Sequence, residues 1–367
     1  MPERGERLRI VQLVENLELG GLERLAVDLA LAQQRAGHQV AVYCLFHAGP
    51  LAASLEAAGI PVVEFHKAPG FSARAVWAMA RRLRRDRADV VHGHNPAVHH
   101  YAALGARLAG VPACINTRHS VTNSHGLPYR ERYFRWAKPL TSHVVFVGDN
   151  VRQGLQGKLG YPAGKCSVIF NGIPLEEFLA RPASPGSRLP RIRFGTIGRL
   201  VPAKGHAILI EAFARVLRDA PAAELSIFGY GALDAELRAQ TARLGLEGRV
   251  RLEGRTDDSP GALRDLDVFV LSSVNEGLPL VILEAMAAAL PIVSTSVGSI
   301  PEVLPKESAW LCPPGNAEAL AAAMLQAAHC GDLRERGETS RRIAAGSYGL
   351  EHMARRYEEL YRRLLPG

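Results

Sequence analysis

The sequence predicts an α/β protein of two doubly wound, parallel-sheet domains, and three observations carry that reading. Apolar runs of about six residues alternate with helical stretches of about ten or more, the pattern of parallel strands covered on both faces by crossover helices. At 367 residues the chain exceeds one typical domain and suits two of ~150–200 residues each. The segment 181–190, RPASPGSRLP, is rich in Pro, Ser and Gly and lacks apolar periodicity, so it reads as the link between them. The expected division is a first domain over 1–180, a second over 191–345 and a terminal helix over 346–367.

Composition narrows the class. Hydrophobic residues make up 47% of the chain and charged ones 22%, as in a water-soluble globular protein rather than a disordered one. No apolar run reaches the ~18–20 residues of a membrane helix. The N-terminus, MPERGERLRI, is charged without an apolar core and does not read as a secretion signal. Five cysteines at 44, 114, 166, 312 and 330 show no paired spacing, which suits a reducing cytoplasm. Positive charge is concentrated in residues 1–180, with 21 Lys and Arg against 14 Asp and Glu, whereas the remainder holds 23 against 22. The densest basic run, Arg81, Arg82, Arg84, Arg85 and Arg87, lies on a helix that also carries Trp77 and Met79. It suggests an anionic partner for the first domain, either a phosphorylated acceptor or peripheral contact with the inner face of an anionic cytoplasmic membrane. The alternative is a solvated arginine-rich helix face. No nucleic-acid motif accompanies the charge, so nucleic acid is not expected as a partner.

In the first half, strands over 8–14, 40–46, 61–65, 89–92, 113–116 and 143–147 alternate with helices over 22–35, 51–58, 72–85 and 97–109. Ligands of such sheets bind beyond the strand C-termini, so the polar residues there are the candidates. Gly20 and Gly21 occupy the first strand-to-helix turn, where glycine lets a ligand approach the backbone and helix N–H groups follow. After 89–92 stand His92, His94 and Asn95; no third ligand lies near the histidine pair, so no metal is expected. After 113–116 come Thr117, Arg118, His119 and Ser120, followed by a polar loop over 121–129, VTNSHGLPY, that suits acceptor binding.

In the second half, a strand over 192–197 runs into GRLVPAKG and a helix over 206–218. Arg199 and Lys204 flank that turn, one a planar fork and the other a point charge suited to a pyrophosphate. A strand over 224–228 leads to Gly229-Tyr230-Gly231, and one over 250–252 to Gly254-Arg255. The most informative stretch is 267–302, DVFVLSSVNEGLPLVILEAMAAALPIVSTSVGSIPE. A buried strand, a polar loop and Gly277 and Pro279 precede a helix over 280–289, so free N–H groups and the helix dipole face an anion. Glu276 and Glu284 sit in it with seven residues between them. Taken alone, the two would equally fit a surface loop and a helix face.

EGLPLVILE is similar to the Glu, seven residues, Glu motif of glycosyltransferase family 4, whose members are retaining nucleotide-sugar glycosyltransferases of bacterial polysaccharide and glycolipid synthesis. GRLVPAKG closely matches that family's phosphate-binding motif. GGLERLAVDLA resembles its first glycine loop, DVVHGHN its motif after the fourth strand, and VIFNGI its Asn-Gly turn. The resemblance covers nearly the whole chain, strongest over 195–303 and weakest over 50–88 and 121–140. Tyr230 departs from the acidic residue usual between the two glycines. Ser299 after Gly298 departs from a second glycine, with its backbone N–H expected to stay available to phosphate.

The resemblance implies a GT-B architecture: two Rossmann-like domains with a donor cleft between them, and a C-terminal helix crossing back to the first. It implies a catalytic set of His119, Arg199, Lys204 and Glu276. It places the donor nucleotide sugar against Gly20, Gly21, Arg199, Lys204, Gly229, Gly254, Arg255, Glu276, Gly277, Leu278, Pro279, Leu280 and Glu284. His94, Asn95, Arg118 and Ser120 would face the acceptor. Arg199 and Lys204 would neutralise the departing diphosphate in place of a divalent ion, so neither metal nor further cofactor is expected. Glu276 would contact the donor sugar, Glu284 the ribose, and His119 would hydrogen-bond the sugar or the leaving group, the alternative for it being a structural loop histidine.

The implied activity is transfer, with retention, of a hexose-type sugar from a UDP-sugar, or a GDP-sugar, to a hydroxyl of a glycan or a polyprenyl- or other lipid-linked acceptor. Two rivals share the architecture. An epimerase would need carboxylates arranged for elimination, against which the ordered Arg, Lys, Glu, Glu set argues. A non-catalytic sugar-nucleotide-binding protein would not need every active-site position filled.

Overall fold

The computed structural model describes residues 7–120, 128–180 and 191–366. The expected link over 181–190 and residues 121–127 of the expected acceptor loop lie outside them. The chain forms two compact units: everything up to Gly172 together with the segment from Leu350 onward, and Ile173–Gly349.

The first unit is a seven-stranded sheet. Its strands are β1 Arg9–Val14, β2 Gln39–Cys44, β3 Val62–Glu64, β4 Val90–His94, β5 Ala113–Arg118, β6 His143–Phe146 and β7 Cys166–Val168. All pair parallel in the order β3-β2-β1-β4-β5-β6-β7. The second unit repeats the scheme with β8 Arg193–Ile197, β9 Glu224–Phe228, β10 Val250–Gly254, β11 Val268–Leu271, β12 Ile292–Thr295 and β13 Ala309–Cys312. Its order is β10-β9-β8-β11-β12-β13, again parallel throughout. Both are Rossmann-type sheets whose order reverses between the first and fourth strands, where a crevice opens beyond the strand C-termini.

The apolar runs are explained by burial on both faces. Val11, Leu13, Val90 and Val91 in one sheet, and Phe194, Val268, Phe269 and Val270 in the other, are almost wholly enclosed. Helix His206–Asp219 presents Leu209, Ile210, Phe213 and Val216 to the second sheet at helical spacing. The same clamp fixes the reversal point in both units. The Asp89 carboxylate accepts from the Arg9 backbone N–H at 2.8 Å and from its Nε at 3.0 Å; Asp267 does the same for Arg193 at 2.8 and 3.2 Å.

The terminal helix Leu350–Leu364 belongs to the first unit, burying Tyr357, Leu360 and Tyr361. Three boundaries differ from expectation. Strands β4 and β5 extend two residues past their apolar runs, with His94 opposite Thr117, so His94, Thr117 and Arg118 are buried sheet residues rather than loop residues. The ladder continues there because those polar side chains find partners inside the fold. Helix Leu175–Leu179, expected in the first domain, lies in the second unit against helices Leu280–Ala287 and Leu333–Ser347. Helix Leu280–Ala287 stops short of 289, where Ala289 takes a left-handed φ of 60° before Pro291.

Candidate functional site

In the second unit the chemistry gathers beyond β8 and β11, neighbours at the reversal point. The turn after β8 ends in Gly205 at φ 65°, and a Cβ there would run into the Ser272 carbonyl. Only glycine lets the two loops lie this close. Ser272 Oγ donates to the Lys204 carbonyl at 2.9 Å and the Val274 N–H to the Ala203 carbonyl at 2.9 Å, which fastens them. As a result Lys204 Nζ stands 2.6 Å from Glu276 Oε1, and Ser273 Oγ donates to the same oxygen at 2.8 Å. The pair is largely enclosed, with side-chain exposures of 21% and 13%. An ammonium has three N–H donors, so Lys204 retains two for a ligand anion. Arg199, on the same turn, is exposed; its carbonyl accepts from the Val201 N–H at 2.9 Å, and its guanidinium has no hydrogen-bond or ion-pair partner among the described residues.

Gly277, Leu278 and Pro279 are buried and lead into helix Leu280–Ala287, whose first turn has no side-chain cap; the Ile282 N–H donates to the Pro279 carbonyl at 3.2 Å, which leaves those of Leu280 and Val281 to face an anion. Glu284 is buried one turn in. Gly298 takes φ 55°, where a Cβ would meet the Gly277 carbonyl, and the Ser299 N–H donates to that carbonyl at 2.7 Å. The Ser299 N–H therefore props the glycine turn and is not free for phosphate, contrary to expectation. The Gly229 N–H donates to the Gly254 carbonyl at 2.7 Å, joining the ends of β9 and β10. Arg255 folds onto Asp257 at 2.9 and 2.6 Å in an exposed pair. One residue was not singled out from the sequence. His206, directly after Lys204 and Gly205, is buried at the helix start, and burial followed by the Lys204 charge pushes its pKa down to about 4. Its place in the run KGH was the available signal.

In the first unit three imidazoles stack beyond the centre of the sheet. His92 and His94 ring centroids lie 4.3 Å apart, and those of His94 and His119 5.3 Å apart. His92 bonds Tyr361 OH through Nδ1 at 2.8 Å and Thr117 Oγ1 through Nε2 at 2.7 Å. His94 bonds Gln12 Oε1 through Nε2 at 2.8 Å and His119 Nε2 through Nδ1 at 3.1 Å. Both nitrogens of both rings are engaged, which leaves no lone pair there for a metal. Burial is the main cause pushing all three pKa values down, His94 to about 3; His94 and then Arg118 add to it for His119, so the rings are neutral at pH 7.

The other first-unit candidates are placed differently. Arg118 is enclosed, forked onto Glu131 at 2.9 and 2.7 Å and stacked 4.9 Å from the Phe134 ring, so its charge is already matched. Asn95 holds φ 68°, ψ 166°, a conformation nearly confined to glycine. Asn116 Nδ2 secures it by donating to the Gly93 and Asn95 carbonyls at 2.9 Å each. Gly20 and Gly21 begin helix Gly21–Arg35, and Ser120 follows His119 at the end of the described segment.

Comparisons with known proteins agree on the class. The family model "Glycosyltransferase Family 4" matches residues 19–177, and "Glycosyl transferases group 1" matches 191–329. The chain is 35% identical over 177 residues to the amylovoran biosynthesis glycosyltransferase AmsK of Erwinia amylovora, covering 46% of this chain and 43% of that one. It is 29% identical over 241 residues to the UDP-Gal:alpha-D-GlcNAc-diphosphoundecaprenol alpha-1,3-galactosyltransferase of Escherichia coli, covering 61% and 62%. The matches thus span about half the length of these curated relatives. Among solved structures, Anabaena HepE in complex with UDP superposes with a TM-score of 0.83 at 21% identity, covering 97% of this chain and 100% of that one. The fold is therefore GT-B. With one model on each half, separated only by the segment around 181–190, the chain belongs to glycosyltransferase family 4.

Proposed function

We propose that this protein transfers a hexose-type sugar from a UDP-sugar to a hydroxyl of a glycan or lipid-linked acceptor, with retention and without a metal. The observation that carries the proposal is the Lys204–Glu276–Ser273 cluster on the same turn region as Arg199, whose guanidinium is unpaired among the described residues, at the mouth of the second sheet. A lysine with spare donors, a free guanidinium and an uncapped helix start suit a diphosphate, the group whose departing charge dominates the barrier. The bond from the sugar's anomeric carbon to phosphate breaks with its electron pair going to the diphosphate. The acceptor oxygen bonds that carbon on the same face, and its proton goes to a departing phosphate oxygen. Glu276 orients the donor sugar and Glu284 the ribose. The UDP named for the Escherichia coli relative and bound in Anabaena HepE favours a UDP-sugar over a GDP-sugar. A thermal-shift screen of UDP-, GDP- and ADP-sugars in EDTA tests this: a rise confined to UDP-sugars supports it, and none with any nucleotide sugar overturns the donor site itself.

Peripheral contact with an anionic membrane is the second part of the reading. Trp77 is 60% exposed on helix Ala73–Asp86 and stacks 4.9 Å from Arg81, an aromatic and cationic pairing suited to a headgroup layer. Arg82 is tied instead to Asp86 at 2.7 Å. No helix among the described residues is long and apolar enough to cross a membrane. Salt-sensitive flotation with phosphatidylglycerol liposomes, lost on Trp77→Ser with Arg81→Gln, is the expected result; flotation that survives both changes removes this part.

A further inference from the structure

His119 lies at the end of a hydrogen-bonded chain that begins on the terminal helix. Gln33 Nε2 donates to Tyr361 OH at 3.2 Å, and Gln12 Nε2 donates to Gln33 Oε1 at 2.8 Å. Gln12 thereby turns its Oε1, which can only accept, toward His94 Nε2 at 2.8 Å. His94 must carry its proton on that nitrogen. An uncharged His94 then has a bare Nδ1, and the only bond open at 3.1 Å is donation into it from His119 Nε2. An uncharged His119 protonated on Nε2 has a bare Nδ1, which has no hydrogen-bond partner among the described residues. The second branch, Tyr361 OH to His92 Nδ1 at 2.8 Å, His92 Nε2 to Thr117 Oγ1 at 2.7 Å and Thr117 to Tyr357 OH at 2.9 Å, anchors the same helix beside the stack.

We propose that Gln12 and His94 are positioning residues for His119, and that the relay running back to Tyr361 fixes its ring with Nε2 protonated and Nδ1 open to a sugar hydroxyl. The inference deepens the transferase reading and rests on it only for the identity of the ligand. Its chemical content is that His119 accepts from a hydroxyl and does not donate to a phosphate oxygen. The His94 proton on Nε2, set by an amide oxygen on β1, is what imposes that polarity. The residues involved stand at 12, 33, 94, 119 and 361 in the sequence, so the tie exists only in the folded first unit.

The test is long-range 1H–15N correlation NMR of the full chain labelled at histidine nitrogen, with His119 assigned by His119→Gln. The wild type should show His119 Nδ1 at the shift of an unprotonated ring nitrogen and Nε2 at that of a protonated one. Gln12→Met frees the tautomer and should mix the two signals, and Tyr361→Phe, which removes one hydroxyl, should mix them in part. Both variants are compared at matched folded fraction by circular dichroism. UDP release from the UDP-sugar that binds best should fall roughly 10-fold in kcat for Gln12→Met, with the donor KM unchanged. A protonated His119 Nδ1 in the wild type, or an unchanged His119 signature in both folded variants, overturns the relay. Full turnover in His119→Ala would instead defeat the sugar contact, leaving the tautomer result standing.

Discussion

Lys204 and Glu276, 72 residues apart in the chain, meet at 2.6 Å because Gly205 lets the loop after β8 rest on the loop after β11. The contact makes the two residues testable against each other. Lys204→Ala removes the point charge and should weaken UDP binding about 100-fold. Glu276→Gln releases the ammonium, so UDP binding should be retained, while loss of the proposed sugar contact should lower turnover about 100-fold. Titration calorimetry with UDP, beside turnover, separates the two; equal losses of UDP affinity in both variants would contradict these roles.

Asn95 is held in a glycine-like conformation by Asn116 and by its own N–H, which donates to the Thr117 carbonyl at 3.0 Å. Asn95→Gly should therefore raise the stability of the first unit by about 1–2 kcal/mol. Urea unfolding followed on that unit checks it, and a destabilised variant would show that no strain is stored there.

Buried histidines make both units acid-sensitive. The folded pKa values of His94, about 3, and His206, about 4, lie below the ordinary histidine value of 6.5, chiefly through burial. The unfolded chain therefore binds protons that the folded chain refuses. Their contribution is fully present above pH 6.5 and is lost as pH falls from there toward 4 for His206 and toward 3 for His94, at about 1.4 kcal/mol per pH unit for each ring. His206→Leu should remove one such slope from the second unit, so that stability lost between pH 7.5 and pH 5 shrinks by about 2 kcal/mol. An unaltered pH dependence would mean that His206 titrates alike in the folded and the unfolded chain.

The Arg118–Glu131 pair separates a structural charge from a ligand-binding one. Glu131→Gln leaves an enclosed guanidinium without its carboxylate and should cost the first unit about 3 kcal/mol. Arg118→Met combined with Glu131→Gln should recover much of that loss. If the single variant melts like wild type, Arg118 has charge to spare for an acceptor.

The layout of the fold was legible because parallel strands buried on both faces leave unbroken apolar runs, and the loops after them leave polar clusters. Those clusters located Arg199, Lys204, Glu276, His94 and His119. The partners of the clustered residues were not legible. Whether a charge is free depends on contacts between distant segments, and no local pattern pairs Arg118 with Glu131 or Gln12 with His94. Strand ends were misplaced for the same reason. His94 and Arg118 look like loop residues by polarity, yet the ladder continues through them because the fold supplies their partners. The N–H of Ser299 likewise looks free in the sequence, because nothing local shows that the Gly277 carbonyl lies against it.

In the proposed function the second unit stabilises a departing diphosphate through Arg199 and Lys204 without a divalent ion. The most direct measurement is release of UDP from UDP-sugars by wild type, Arg199→Ala and Lys204→Ala, each with magnesium and with EDTA. Wild-type rates should be equal under the two conditions, with release reduced about 100-fold or more in either variant. Wild-type release abolished by EDTA, or undiminished release from Lys204→Ala, would contradict it.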